Sequence, residues 1–166
     1  NFFFISAYQM ALILFFTLPA LKAMESNIPI GILDYILAAI FVVLVIMEYI
    51  ADNQQYYYQE EKYRQKKIGK VADFYKIGFT HTGLWAYMRH PNYSAEQAIW
   101  IVFYFFSVIA TDIWLNWSIA GALLLVLLFK GSSDFSEEET EKKYPLYKKY
   151  IKEVGRFLPL KKKFKI

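Results

Sequence analysis

IGILDYILAAIFVVLVIMEYI, residues 30–50, is apolar except for Asp34 and Glu48 near its ends. It reaches the roughly 20 residues that a helix needs to cross a bilayer. Upstream, the run from Phe2 to about Leu21 carries no charge at all. Downstream, Ala98 to Ala110 gains length from the preceding NYSAEQ, and Trp114 to Phe129 continues until Lys130. Short links, MESNIP and ATDIW, join the first two runs and the last two, so each pair reads as a helical hairpin. Inside lipid every backbone polar group must bond within its own element, which selects helices over open sheet. A soluble helical protein would turn a polar stripe outward, and these runs offer almost none.

The expectation is therefore an all-α chain: a polytopic transmembrane helical bundle with about four membrane helices and cytosolic-side helical segments, forming one membrane domain over residues 1–166. Composition agrees, since the chain is 57% hydrophobic and 20% aromatic yet carries a formal charge of +4. Eighteen of the nineteen lysines and arginines lie between the two hairpins or from Lys130 onward, and Lys22 alone lies toward the first link. The positive-inside tendency places the basic side, and with it both ends of this span, toward the cytosol or its equivalent. The chain opens on Asn1 within an apolar run, which reads as the later portion of a longer protein. Residues 2–21 are too long and lack the basic lead of a cleavable signal. Cysteine is absent, which removes disulfide and thiol chemistry.

Three polar pieces share the basic side. In EYIADNQQYYYQEEKYRQKK, residues 48–67, the second helix continues out of the membrane with Glu48, Asp52, Gln55 and Gln59 at helical spacing on one face. Tyr56, Tyr57 and Tyr58 stand where an interfacial aromatic belt belongs. A carboxylate at the edge of hydrocarbon needs a partner, and such residues mark cavities or pathways. In GLWAYMRHPNYSAEQAIW, residues 83–100, Pro91 marks a helix boundary, and Asn92, Tyr93 and Ser94 offer capping oxygens. Free N–H groups at a helix start, with Arg89 and His90 just before them, suit an anion. The same residues also suit an interfacial anchor with Arg89 snorkelling to headgroups, and the residues alone leave the two readings level. His81 and His90 are the only histidines, so no metal site is expected.

In the third piece, residues 129–166, Ser136 followed by Glu137, Glu138 and Glu139 predicts a helix start, with basic residues later as the dipole prefers. The closing KKKFKI reads as a free basic end or a contact for anionic lipid headgroups, with no call for nucleic acid.

The order of GLWAYMRHPNYSAEQ, a hydrophobic hairpin and LFKGSSDFSEEETEKKYPLYKKYIKEVGRFLP resembles the uncharacterised integral-membrane family related to the C-terminal domain of steroid 5α-reductases. EYIADNQ is similar to that family's E-x-x-A-D-x-Q element, and the likeness covers roughly residues 48–159. The wider superfamily includes sterol reductases using NADPH and isoprenylcysteine carboxyl methyltransferases using S-adenosylmethionine. The resemblance implies a dinucleotide held by Trp85, Arg89, His90, Asn92, Tyr93 and Asp52, with Glu137, Tyr147 and Tyr150 from the tail. It implies reduction of a carbon–carbon double bond in a lipid or steroid-like substrate, with Tyr93, Glu96 and Glu48 as candidate proton donors.

The likeness also breaks in places. Relatives of the sterol branch carry basic residues after the aspartate where this chain has Gln55 and Gln59, which leaves Lys62 or Arg64 to take over. Ala95 stands in place of a glycine, and Ile101 and Val102 in place of a Trp-Gly pair. Two alternatives follow: a methyltransferase, for which only Lys130 precedes the paired glutamates where an arginine is expected, and a non-catalytic subunit of a larger membrane complex. The expected location is the endoplasmic reticulum or another internal membrane, with the mitochondrial inner membrane as the alternative.

Overall fold

The apolar runs and their polar extensions fold into continuous helices, described for residues 2–164 by a computed structural model. The order is α1 (Phe2–Ala23), α2 (Ile32–Lys67), α3 (Asp73–Lys76), a 3-10 turn (Gly83–Ala86), α4 (Pro91–Thr111), α5 (Ile119–Lys143) and α6 (Tyr147–Glu153). No β-strand occurs among the described residues, and the expected all-α membrane fold is what the chain forms. By length and apolarity α2, α4 and α5 can each cross a membrane, and α1 adds the shorter apolar stretch Met10–Ala23. These helices mark an integral membrane protein.

The chain divides into two compact units, Asn1–Val45 with Glu96–Phe129, and Ile46–Ala95 with Lys130–Ile166. The first holds the apolar parts of the long helices. There Gly121 of α5 lies against the backbone of α1: a Cβ at this position would stand 2.2 Å from the Phe15 carbonyl oxygen. Small residues permit such close backbone approach in apolar surroundings. Phe16 meets Trp100 of α4 with ring centroids 5.0 Å apart.

The α4–α5 hairpin is closed by a buried polar knot. Tyr104 donates its hydroxyl to the Trp114 carbonyl at 2.6 Å and accepts the Asn116 amide at 3.2 Å. Asn116 donates to Ser107 Oγ at 3.2 Å and accepts the Ser118 hydroxyl at 2.6 Å. Each member has a partner, as buried polar groups require. Asp112, with φ 55°, makes the turn.

The second unit holds the polar material, and two expectations change in it. Ser136 does not start a helix, because α5 runs unbroken from Ile119 to Lys143. No residue around Lys130 stops it: the Lys130–Asp134 pair at 2.9 Å bridges one turn, and Ser133 turns its hydroxyl back onto the Lys130 carbonyl. The helix ends before Tyr144, which precedes Pro145 and so is steered away from helical dihedrals. The basic tail is not free at Phe164: its amide donates to Ala86 O at 2.9 Å, and its ring joins a buried core of Phe79, Tyr147, Tyr150 and Val154.

Candidate functional site

The second half of α2 projects Gln55, Gln59 and Lys62 along one face, at the i, i+4, i+7 spacing of a helix. The second half of α5 does the same with Ser136, Thr140 and Lys143. Between them parts of the chain from Gly78 to Tyr93 and the tyrosines 63, 144, 147 and 150 complete the walls of a cavity of about 400 Å³. Gly78 has φ 91°, and a Cβ there would collide with the Tyr144 ring. Only glycine takes that backbone without strain while leaving the ring its place.

Trp85, Arg89, His90, Asn92, Tyr93, Tyr147 and Tyr150, far apart in sequence, all line this cavity. Asp52 and Glu137 do not line it and hold wall residues instead. The Asn92 side-chain amide donates to Asp52 Oδ1 at 2.9 Å, leaving Asn92 Oδ1 buried without a hydrogen-bond partner. Glu137, 4% exposed, receives Arg89 Nε at 2.8 Å and Nη2 at 3.1 Å. It also accepts from His90 Nε2 at 2.9 Å and Arg156 Nη2 at 2.9 Å. Arg89 Nη1 donates to the carbonyls of Ile151, at 3.1 Å, and Val154. The guanidinium fork is thus closed on protein groups.

Backbone pairing fixes the segment that carries these residues. The amides of Arg89 and His90 donate to Gly155 O at 2.9 Å and Arg156 O at 3.1 Å, and Met88 bridges Gly155 in parallel. Pro91 then opens α4 as its first residue, the place where a missing N–H costs nothing. Trp85 donates its indole N–H to Ala51 O at 3.0 Å, and Tyr150 donates its hydroxyl to Trp85 O.

Burial pushes the phenols of Tyr147 and Tyr150 far up from their ordinary value, with the Glu137 carboxylate second for Tyr147 and the adjacent Tyr147 phenol second for Tyr150, so both remain neutral donors. Tyr93 stacks on His90, centroids 5.2 Å apart at 15°, with its hydroxyl 3.4 Å from Ser132 Oγ. Of the other two candidate proton donors, Glu96 accepts the Trp100 indole N–H at 2.8 Å, and neither it nor Glu48 lines the cavity.

Tyr63, Thr80, Ser136, Thr140, Lys143 and Tyr144 complete the lining with Lys62. Helical spacing after Ser136 carried the signal of Thr140 and Lys143, but only an unbroken α5 brings Ser136 and Lys143 onto the same wall. Arg64, the other candidate substitute for a missing basic residue, pairs with Glu61 at 2.6 Å and stands away from the cavity. Among the described residues lining the cavity none is an aspartate or a glutamate, whereas Lys62, Arg89 and Lys143 are cationic. Among the described residues no three histidine or carboxylate side chains converge as metal ligands.

The model of a family described as "Protein of unknown function (DUF1295)" matches residues 1–154. The chain belongs to this DUF1295 family. It is also 36% identical over 168 residues to an uncharacterized protein of Schizosaccharomyces pombe, a match covering 96% of this chain and 49% of the relative. The chain thus spans about half the length of the curated relative it matches. No solved structure matches it. The DUF1295 match takes in every residue that lines the cavity and stops before Arg156 and Phe164, which brace it from the tail.

Proposed function

We propose that this chain binds a nicotinamide dinucleotide in the cavity and serves NAD(P)H-dependent reduction of a carbon–carbon double bond in a lipid or steroid-like substrate. The observation that carries the reading is the lining: cations, amides, hydroxyls and aromatic faces, with no carboxylate among the described residues. Such a wall favours a ligand bearing negative charge and flat rings. The same lining favours a dinucleotide over S-adenosylmethionine, whose sulfonium and ammonium call for anionic partners. The likeness to the C-terminal domain of steroid 5α-reductases supports the same class, and the bilayer setting supports a lipid as substrate. That likeness and the charge asymmetry fit a cytosol-facing site in the endoplasmic reticulum or another internal membrane.

The buried acceptor Asn92 Oδ1 has no hydrogen-bond partner and fits a ligand amide or hydroxyl hydrogen. Trp85 and Tyr147 would hold the flat rings, and Asp52 and Glu137 would keep Asn92, Arg89 and His90 in place. When bound, the cofactor supplies a hydride. Tyr93, the one candidate donor in the lining, would hold the proton for the neighbouring carbon at its hydroxyl.

The test is equilibrium binding of NADPH, NADH and S-adenosylmethionine to the full chain in detergent, repeated with Gln59→Trp, which fills the cavity from α2. Nicotinamide binding lost in the variant, together with oxidation of NADPH on adding an enone lipid, is the expected result. Binding of the sulfonium cofactor would assign a methyltransferase. Binding of none would leave a non-catalytic subunit.

A further inference from the structure

We propose that the Lys62 ammonium, rather than the Arg89 guanidinium, holds the anionic group of the cavity's ligand, and that this group is a phosphate or pyrophosphate of a soluble ester. The inference deepens the reading above and rests on it for two things, that the cavity takes a ligand and that the ligand carries phosphate.

The cations of the lining are not equivalent. Arg89 has four of its five N–H groups on Glu137 and on backbone carbonyls. His90 gives Nε2 to the same carboxylate. Lys143 stands largely in solvent, with Glu139 at 3.7 Å. Lys62 is 3% exposed, and among the described residues its ammonium has one hydrogen-bond partner, the Gly78 carbonyl at 3.0 Å. No carboxylate among the described residues comes within ion-pair distance of it.

An ammonium has three N–H donors, so two of them remain for a ligand. Burying such a charge without an anion is costly. The faces of Tyr63, Tyr144 and Tyr58, with centroids 4.9, 5.8 and 5.9 Å away, return part of that cost. An anion between Lys62 and Gln59 would return the rest; the Thr80 hydroxyl is already given to Gln55 Oε1. The open donor is a compact point charge and not a planar fork, the form in which lysine holds phosphate groups, and the phosphate identity follows from the dinucleotide class proposed above.

The experiment reads thermal unfolding of the full chain in phosphatidylcholine nanodiscs while pyrophosphate or inorganic phosphate is titrated at constant ionic strength. Lys62→Met, Lys62→Gln and, as a control outside the cavity, the exposed Lys70→Met are compared with the parent. Pyrophosphate should stabilise the parent, with apparent affinity falling about tenfold or more in both Lys62 variants and changing by less than about threefold in Lys70→Met. Without ligand, Lys62→Met should be no less stable than the parent, because it removes a buried charge that lacks a counter-ion. Equal pyrophosphate affinity in parent and Lys62 variants, or a large loss of unliganded stability in both, would overturn the proposal. Stabilisation by phosphatidic acid in the disc but not by soluble phosphates would overturn the soluble source. If pyrophosphate binding depends on Lys62 while NADPH does not bind, the reductase reading fails and this one stands.

Discussion

Glu137 joins three cationic or imidazole groups on one buried carboxylate, so its charge is spent inside the protein rather than on a ligand. Breaking a buried pair from one side leaves an uncompensated charge. Glu137→Gln should therefore lower stability by about 3–5 kcal/mol, read by intrinsic tryptophan fluorescence on heating. Arg89→Ala should cost about as much, so lost binding in that variant alone would not locate a ligand.

His81 provides a pH test at the same scale. Its Nδ1–H donates to the Phe79 carbonyl at 2.9 Å, and Nε2 is buried without a hydrogen-bond partner. Burial lowers the ring's pKa below its ordinary 6.5. The unfolded chain therefore takes up a proton that the folded chain refuses: this stability is full above about pH 6.5 and is lost as pH falls. Unfolding temperatures at pH 7.5 and 5.5 should differ more for the parent than for His81→Phe.

Among elements, α5 does two jobs with one continuous helix: its apolar half meets α1 at Gly121 and its polar half lines the cavity. A methyl group at Gly121 would meet backbone, which cannot swing aside as a side chain can. Gly121→Ala should destabilise the first unit by about 1–3 kcal/mol, a typical cost of overpacking, and faster amide exchange in Trp100–Thr111 and Ile119–Phe129 would report it. The membrane-length runs of α2, α4 and α5 were legible because a bilayer imposes a length and an apolarity that composition alone reveals. The continuity of α5 was not. A serine before three glutamates is a good cap when a helix must start and an ordinary solvent face when one is already running.

At the scale of the whole molecule, the two units rest on different physics: close backbone approach and a satisfied polar knot in one, an aromatic cluster and ion pairs in the other. Phe164 belongs to the second. Removing its buried ring in Phe164→Ala should cost about 3–5 kcal/mol. Exchange should quicken first in Gly83–His90 and Tyr147–Val154, while Trp100–Thr111 stays protected; uniform change across both units would contradict separate cores.

Fold class and membrane setting were written in the sequence, since hydrocarbon thickness and backbone hydrogen bonding act on any apolar run regardless of what surrounds it. The neighbourhood of Trp85, Arg89, Asn92, Tyr147 and Tyr150 was legible through resemblance. Their division of labour was not, because a side chain's role depends on which of its donors are already used. Only the tertiary structure closes Arg89 on Glu137, sets Asp52 behind Asn92, pins Phe164 in a core and leaves Lys62 buried in the cavity wall with donors to spare. The reason is distance: partners separated by 48 residues, as Arg89 and Glu137 are, meet only when α5 and the tail fold back upon the segment that carries the arginine.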